Sequence, residues 1–429
     1  MPPRFTPRPH LLTPLAAPLL GLLLNLFALA PQAHANSLVA DFQAAIAHDP
    51  LFNSQRMQTR NLRIDAKIAA AAYYPRAGIT LSQDATDNST RRTARITQPL
   101  LSADRWLTRQ EAPPRETLAD LLDTQAHIEL ASRVFDAVRQ LALSREKLAL
   151  SQSNLQALQA QSQSAQLAYQ VGQGTITDVL DTQLRVSQLR AQIVRHQADH
   201  DNARRHYASI TGQLPAANAY PLSPRQLDAL QVPPLEQSTT QTLQNNPVLR
   251  AEQQNTQLKQ IGARRARAQL TPSLNANWQR SQTKNGTTEQ NGLVISFDLP
   301  LSYGSAYAFE AADNQLIAQQ EKQRATQENL LLDVQRLHAH ALSAQQEVQL
   351  TREAIEAAEL SLSANRQSFE GGVRSQLDVL NALQAVYTAR ETHLSAQLTL
   401  AHSLLSLALL TAPDIPPLLT HLQTHLFTP

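Results

Sequence analysis

No cysteine occurs in the 429-residue chain, and aromatic residues make up only 4% of it. The first absence excludes disulfides, thiolate metal sites, cysteine nucleophiles and a lipidated N-terminal cysteine. The second, with abundant Ala, Leu, Gln, Arg and Ser, favours long helices over a thick globular core. A dominant charge is also lacking. The formal net charge is +2, but Arg4 and Arg8 lie in the first 35 residues, where no acid occurs, so the remainder is balanced. No basic field is left to attract nucleic acid. GxSxG, HExxH, P-loop, GxGxxG and Asp-rich calcium loops are all missing, so neither enzyme activity nor a cofactor or metal is expected. The 13 histidines are scattered. His338 with His340, and His196 with His200, are the closest groupings. The second pair has the i,i+4 spacing of metal ligands, but no third ligand accompanies it, and solvated helix faces account for both.

Long apolar runs are confined to the N-terminus. Arg4 and Arg8 precede LLTPLAAPLLGLLLNLFALA (Leu11–Ala30), and a small-x-small site, AHA, ends at Ala35. A membrane anchor would share the apolar run. Pro14 and Pro18 inside it, and the site behind it, favour a signal peptide over 1–35, cut before Asn36. No later stretch of about 18 uninterrupted apolar residues offers a transmembrane helix. An exported chain of this kind is soluble outside the cytoplasm, or it crosses an outer membrane as strands.

What is present is a tandem duplication, residues 36–212 and 236–411. Asp49-Pro50 matches Asn246-Pro247 and Tyr74-Pro75 matches Thr271-Pro272, each pair 197 residues apart. Each half reads as a short helix, an Asx-Pro helix start, a helix of about 22 residues and a proline stop. Two strand-like runs follow each stop, within 77–101 and 273–302. The first pair is AGITLSQDA and RRTARITQPLL, with Asp87, Asn88 and Ser89 as the turn. The second is SLNANWQRSQ and GLVISFDLPL, with NGTTEQN between. In the last run Leu293, Ile295, Phe297, Leu299 and Leu301 share one face, and Val294, Ser296 and Asp298 the other. Strands of about 10 residues suit a tilted crossing of a thin apolar layer, and also suit ordinary soluble hairpins.

Heptads follow. Val134, Leu141, Leu148 and Leu155 continue in frame to Ser162 and Tyr169. Val334, Ala341, Val348, Ile355, Leu362 and Phe369 repeat the series 200 residues later. These spacings predict helices over 132–169 and 306–369, each ending in a turn of one pattern. The turns are YQVGQGTITDVLDTQ (Tyr169–Gln183) and FEGGVRSQLDVLNAL (Phe369–Leu383): aromatic, glycine, small hydroxyl residue, then Asp-Val-Leu. Return helices over 178–211 and 376–411 would complete two antiparallel coiled-coil hairpins. Asp178 and Asp378 begin them, where a carboxylate complements the helix dipole and caps free amides. Pro-rich residues 213–235 link the halves, and 412–429 form the matching break with a short apolar stretch.

In this order and in duplicate, these pieces resemble the TolC family of outer-membrane efflux proteins over essentially the whole exported chain. The hairpin tips carry the resemblance most specifically; ITQPLLSADRW and ISFDLPLSYGS at the strand exits support it. The resemblance implies a mainly α protein with a small β-barrel portion. It implies a homotrimer whose chains each give four transmembrane strands to one 12-stranded barrel in outer-membrane lipid, above a helical tunnel through the periplasm. Six similar half-chains would close a pseudo-six-fold tube. The tips, with Tyr169, Gly172, Gly174, Thr175, Phe369, Gly372, Arg374 and Ser375, would meet a periplasmic adaptor (a membrane fusion protein) and an inner-membrane transporter. Asp178, Asp181 and Asp378 match lumen-facing acids that ring the family's entrance, so a trimer would bring at least six carboxylates together in a cation-favouring constriction. The capping role and the gate role are compatible.

Two departures stand out at the tips. Asn381 occupies the position of a second acid, and Phe369 lacks the hydroxyl of the family's usual tyrosine, so a weaker ring or latch is expected. A third is Pro113-Pro114 in EAPPRETL (Glu111–Leu118), where the outgoing helix should kink; AFEAADNQLIAQQ in the second half has no such break. Trp106, Tyr303 and Tyr307, near the strand exits, suit interface aromatics or core packing equally. The function expected is a passive outer-membrane duct for efflux or type I secretion. The alternative is a soluble periplasmic coiled-coil adaptor without a pore, which would need lipoyl-like β domains flanking one hairpin.

Overall fold

The computed structural model describes residues 37–83, 90–216, 218–222, 231–297, 303–411 and 414–427, with the backbone alone at 303–306. The expected signal peptide, the turn at 87–89, Asp298, Leu299, Leu301 and the side chain of Tyr303 lie outside it.

Each half begins with the same four elements, two helices and two strands. Helix α1 (Leu38–His48) runs into α2 (Pro50–Ala70), and strands β1 (Arg76–Gln83) and β2 (Thr90–Leu101) follow. The helix junction is made by Asp49, whose side chain accepts the Phe52 amide at 2.6 Å while Pro50 occupies the first turn, where no amide is needed. The second half repeats this, after the first hairpin's long helices α3 (Ala103–Gln110), α4 (Ala112–Gln170) and α5 (Ile176–Thr211). There α6 (Leu235–Asn245) meets α7 (Pro247–Ala268) at Asn246, which accepts the Val248 and Leu249 amides. The caps then diverge. Asp49 forms a two-bond ion pair with Arg133 of α4 at 2.7 and 3.0 Å, whereas Asn246 donates to the Leu410 carbonyl at 2.9 Å.

Strands β3 (Ser273–Thr283) and β4 (Gly286–Ser296) join β1 and β2 in one antiparallel sheet, order β1-β2-β3-β4, so the two halves meet at β2–β3. Residues 286–291, read as loop from their polar side chains, are strand. The hairpin turn is Lys284-Asn285 alone, because both faces of this distal end are polar and alternation there carries no apolar signal. Register sorts the sheet into two faces. Ala77, Ile79, Leu81, Ile96, Trp278, Leu293 and Ile295 share one, and it lies bare: Ile79 is 80% exposed and Ile295 74%. Thr80, Thr93, Arg95, Asn277, Gln279 and Gln290 share the other, which is mainly polar, with Val294 and Pro99 at its proximal end. Soluble hairpins would cover the apolar face. Here the exposed apolar face and the polar face behind it match strands between lipid and water, and the 11 residues of β3 or of β4 rise about 36 Å, enough to cross the apolar band at a tilt. Arg92, Arg280 and Glu289 end the apolar face at the distal rim.

The hairpins are longer than the heptads indicate. Helix α4 has 59 residues and begins at Ala112, 20 positions before the predicted start at 132. Above Val134 it packs against α2 and α7 as well, burying Leu118, Leu121, Ala126 and Leu130, so no single heptad stripe survives there. Helix α8 (Tyr303–Glu370) has 68 residues, about 102 Å at 1.5 Å each, and α9 (Gln376–Leu410) returns beside it. Only the first outgoing helix is interrupted. Glu111 separates α3 from α4, and Pro113 and Pro114 sit in the new helix's first turn. The buried Glu111 carboxylate receives Arg115 at 2.7 Å and Arg265 of α7 at 2.9 Å, which ties the joint to the second half. Helix α9 is long and apolar enough to cross a bilayer, yet its most apolar stretch is 56% buried in hairpin packing.

One large core spans α1, α4, α5, α8 and α9 at mid-height. Its cap was not legible in the sequence: the tail forms helix α10 (Ile415–Leu426), whose Leu419 and Leu426 are fully buried. Tyr220 of the linker stacks edge-on against Phe427 and donates to the buried Asp41 carboxylate of α1. Burial raises the Asp41 pKa, opposed by hydrogen bonds from Tyr207 and Tyr220.

Candidate functional site

The two hairpin tips have one backbone. At the first, Gly172 takes φ +76° and donates to the Tyr169 carbonyl at 3.1 Å, while Gln173 donates to Ala168 at 2.8 Å. At the second, Gly372 takes φ +72° and donates to Phe369 at 2.9 Å, while Val373 donates to Ser368, also at 2.9 Å. This is the left-handed helix stop that favours glycine, made twice. A reciprocal cap restarts the chain. Thr175 Oγ1 accepts the Asp178 amide at 3.2 Å and Asp178 accepts the Thr175 amide at 3.1 Å; for Ser375 and Asp378 the distances are 3.3 and 3.0 Å. The duplicated aspartates therefore build the turn. The Ser375 hydroxyl, with its amide and with Arg374 at 3.8 Å, also holds the Asp378 carboxyl below the usual carboxylate range.

Within one chain the four gate candidates do not touch one another. Asp178 and Asp378 are half-buried in their own caps; Asp181 and Asn381 are exposed one turn further on. The tips are joined by Leu158, Val186, Leu189, Leu380 and Leu383, a small core between the two hairpins. Beside it Arg185 donates to Asn381 Oδ1 at 2.7 Å, linking α5 to α9. Arg185 lies outside the tip motif, and its one signal in the sequence is position: it follows Asp181 by four residues and shares its helix face. Asn381, the expected missing acid, is thus a neutral acceptor for a cation. Around the tips Val171, Leu167, Leu180, Leu377 and the 81%-exposed Val373 leave apolar surface bare, with Tyr169 and Phe369 partly exposed behind them. His196 and His200 pair with Ser151 and Ser144 across the first hairpin at 2.8 and 3.2 Å.

Sheet, hairpins and tips recur in known proteins. A family model described as outer membrane efflux protein matches residues 42–213 and 239–412, one block per half. The chain belongs to the outer membrane efflux protein family. It is 24% identical over 399 residues to the alkaline protease secretion protein AprF of Pseudomonas aeruginosa, covering 85% of this chain and 82% of that one. The cobalt-zinc-cadmium resistance protein CzcC of Cupriavidus metallidurans is 26% identical over 330 residues, 73% and 75% of the two chains. Among solved structures, CusC superposes with a TM-score of 0.74 at 14% identity, covering 88% of this chain and 92% of that one. The open state of the Neisseria gonorrhoeae MtrE outer membrane channel gives 0.73 at 16%, covering 89% and 90%. This family member is thus an outer-membrane exit channel reaching into the periplasm. The pore-free adaptor reading falls, since two hairpins and one shared sheet replace the single hairpin and lipoyl-like domains it needed.

Proposed function

We propose that the chain works as a homotrimer, a passive duct that opens at the hairpin tips and is driven by an inner-membrane transporter through a periplasmic adaptor. The observation that carries this reading is the sheet. A four-stranded sheet with one bare apolar face and free outer edges is one third of a closed barrel, and closure removes the edges. The division into repeats 36–212 and 236–411 belongs to the same reading, because paired halves let three chains approximate six-fold packing. Asp178, Asp181 and Asp378 would gather about the axis at the entrance. The link from Arg185 to Asn381 would hold the two hairpins of each chain together there without a second carboxylate. The bare apolar residues between Leu167 and Val171, with Val373 and Leu377, would take the adaptor. For cargo, the alkaline protease secretion relative supports a secreted protein, and the metal-resistance relative supports a small-molecule or ion pump. Fractionation tests the assembly: a heat-modifiable trimer in the outer membrane is expected, and a protein found only in the soluble periplasm would overturn it.

A further inference from the structure

Among the described strand residues, the sheet's polar face carries charge of one sign. Arg76, Arg91 and Arg95 lie on it, by direct pairing with Thr97, Ser82 and Gly78. Glu289 is the one acid among the described strand residues, and it sits on the apolar face, where it accepts the Trp278 indole N–H at 2.8 Å. Among the described strand residues, no carboxylate therefore faces the three arginines. Arg95 is also oriented. Its Nε and Nη2 donate to Gln279 Oε1 at 3.1 and 2.8 Å across the β2–β3 junction. A neutral partner fixes the guanidinium against the sheet and leaves its charge uncompensated. The arginines occupy three levels over about 20 Å of strand. In the closed barrel described above, each level would repeat three times around a narrow aqueous lumen, where like charges focus an ion's potential.

We infer that the barrel lumen is an anion-binding passage, opposite in sign to the acidic entrance at the tips, and that Arg91 and Arg95 set its preference. It would take multivalent anions such as polyphosphates, or carboxylate-rich segments of a polypeptide in transit. Such groups would pass from a cation-favouring entrance into an anion-favouring exit. This inference rests on the trimeric duct, and the test separates the two. Purified protein is inserted into planar bilayers with known orientation, and inositol hexakisphosphate is added to either side at low salt. Block is expected from the barrel side, and at least tenfold weaker in Arg91→Gln with Arg95→Gln. Asp178→Ala with Asp378→Ala should retain it. Equal block of the double arginine variant, or block from the tip side alone, would overturn the inference while leaving the duct intact. Wild-type protein that inserts as a trimer and never conducts would overturn both.

Discussion

At the residue scale, Asp178 and Asp378 have one role in the fold, capping, and one proposed at the gate, and substitution at Thr175 separates the two. Each accepts its own cap amide, so each is needed to restart a helix after a glycine stop. Asp378 also remains ionised at neutral pH. Ser375 and Arg374 push the Asp378 carboxyl further in that direction, so no titration of it is expected near pH 7. Replacing both by alanine should lower the cation preference of single channels and relieve block by divalent cations at the tip side. Replacing Thr175 by alanine removes a cap of comparable weight, about 1 kcal/mol, and keeps both carboxylates. If the selectivity of the two variants is the same, the aspartates only cap helices. Much of this site was legible: the glycine, hydroxyl residue and aspartate form a local signature, because stop and cap involve neighbours within seven residues. Arg185 was not, because its partner Asn381 is 196 residues away and no local pattern points to it.

At the element scale, the two halves differ where they join their hairpins. Asp49 binds Arg133, whereas Asn246 binds a backbone carbonyl. Burial would raise the Asp49 pKa, but hydrogen bonds from Arg133 and from the Phe52 amide outweigh it and hold the carboxyl below the usual range. A carboxyl depressed in the fold contributes fully above its unfolded pKa, about 3.9, and that contribution is lost as pH falls through the folded value. Arg133→Ala should therefore cost about 2 kcal/mol near pH 7, with a smaller difference from wild type below about pH 3. Thermal melts in detergent at the two pH values check this; an equal loss at both would mean that Arg133 acts by packing alone. The helix starts here were legible because an Asx-Pro pair states both cap and first turn. The full extent of α4 was not: Leu118 to Leu130 face two partners, and periodicity reports a helix best when it has one. Helix α10 carries little local signal for a related reason. Twelve residues carry too few turns for a pattern, and what orders them is a core assembled from α1 and the linker.

For the whole molecule, the two ends follow one rule. A face that is bare in the single chain points to the environment it needs: lipid for Ile79 and Ile295, and, in the proposed duct, a partner protein for Val373. The tandem halves give one sheet and two matched hairpins, and the family contains both secretion and metal-resistance relatives, so the architecture fixes the route and leaves the cargo to the partners. The most direct test is a planar-bilayer recording from purified wild-type trimer in a potassium chloride gradient. Discrete conductance steps are predicted, with a reversal potential that moves when Asp178 and Asp378 are replaced. Trimers that insert into the bilayer and pass no current at any voltage would contradict the account.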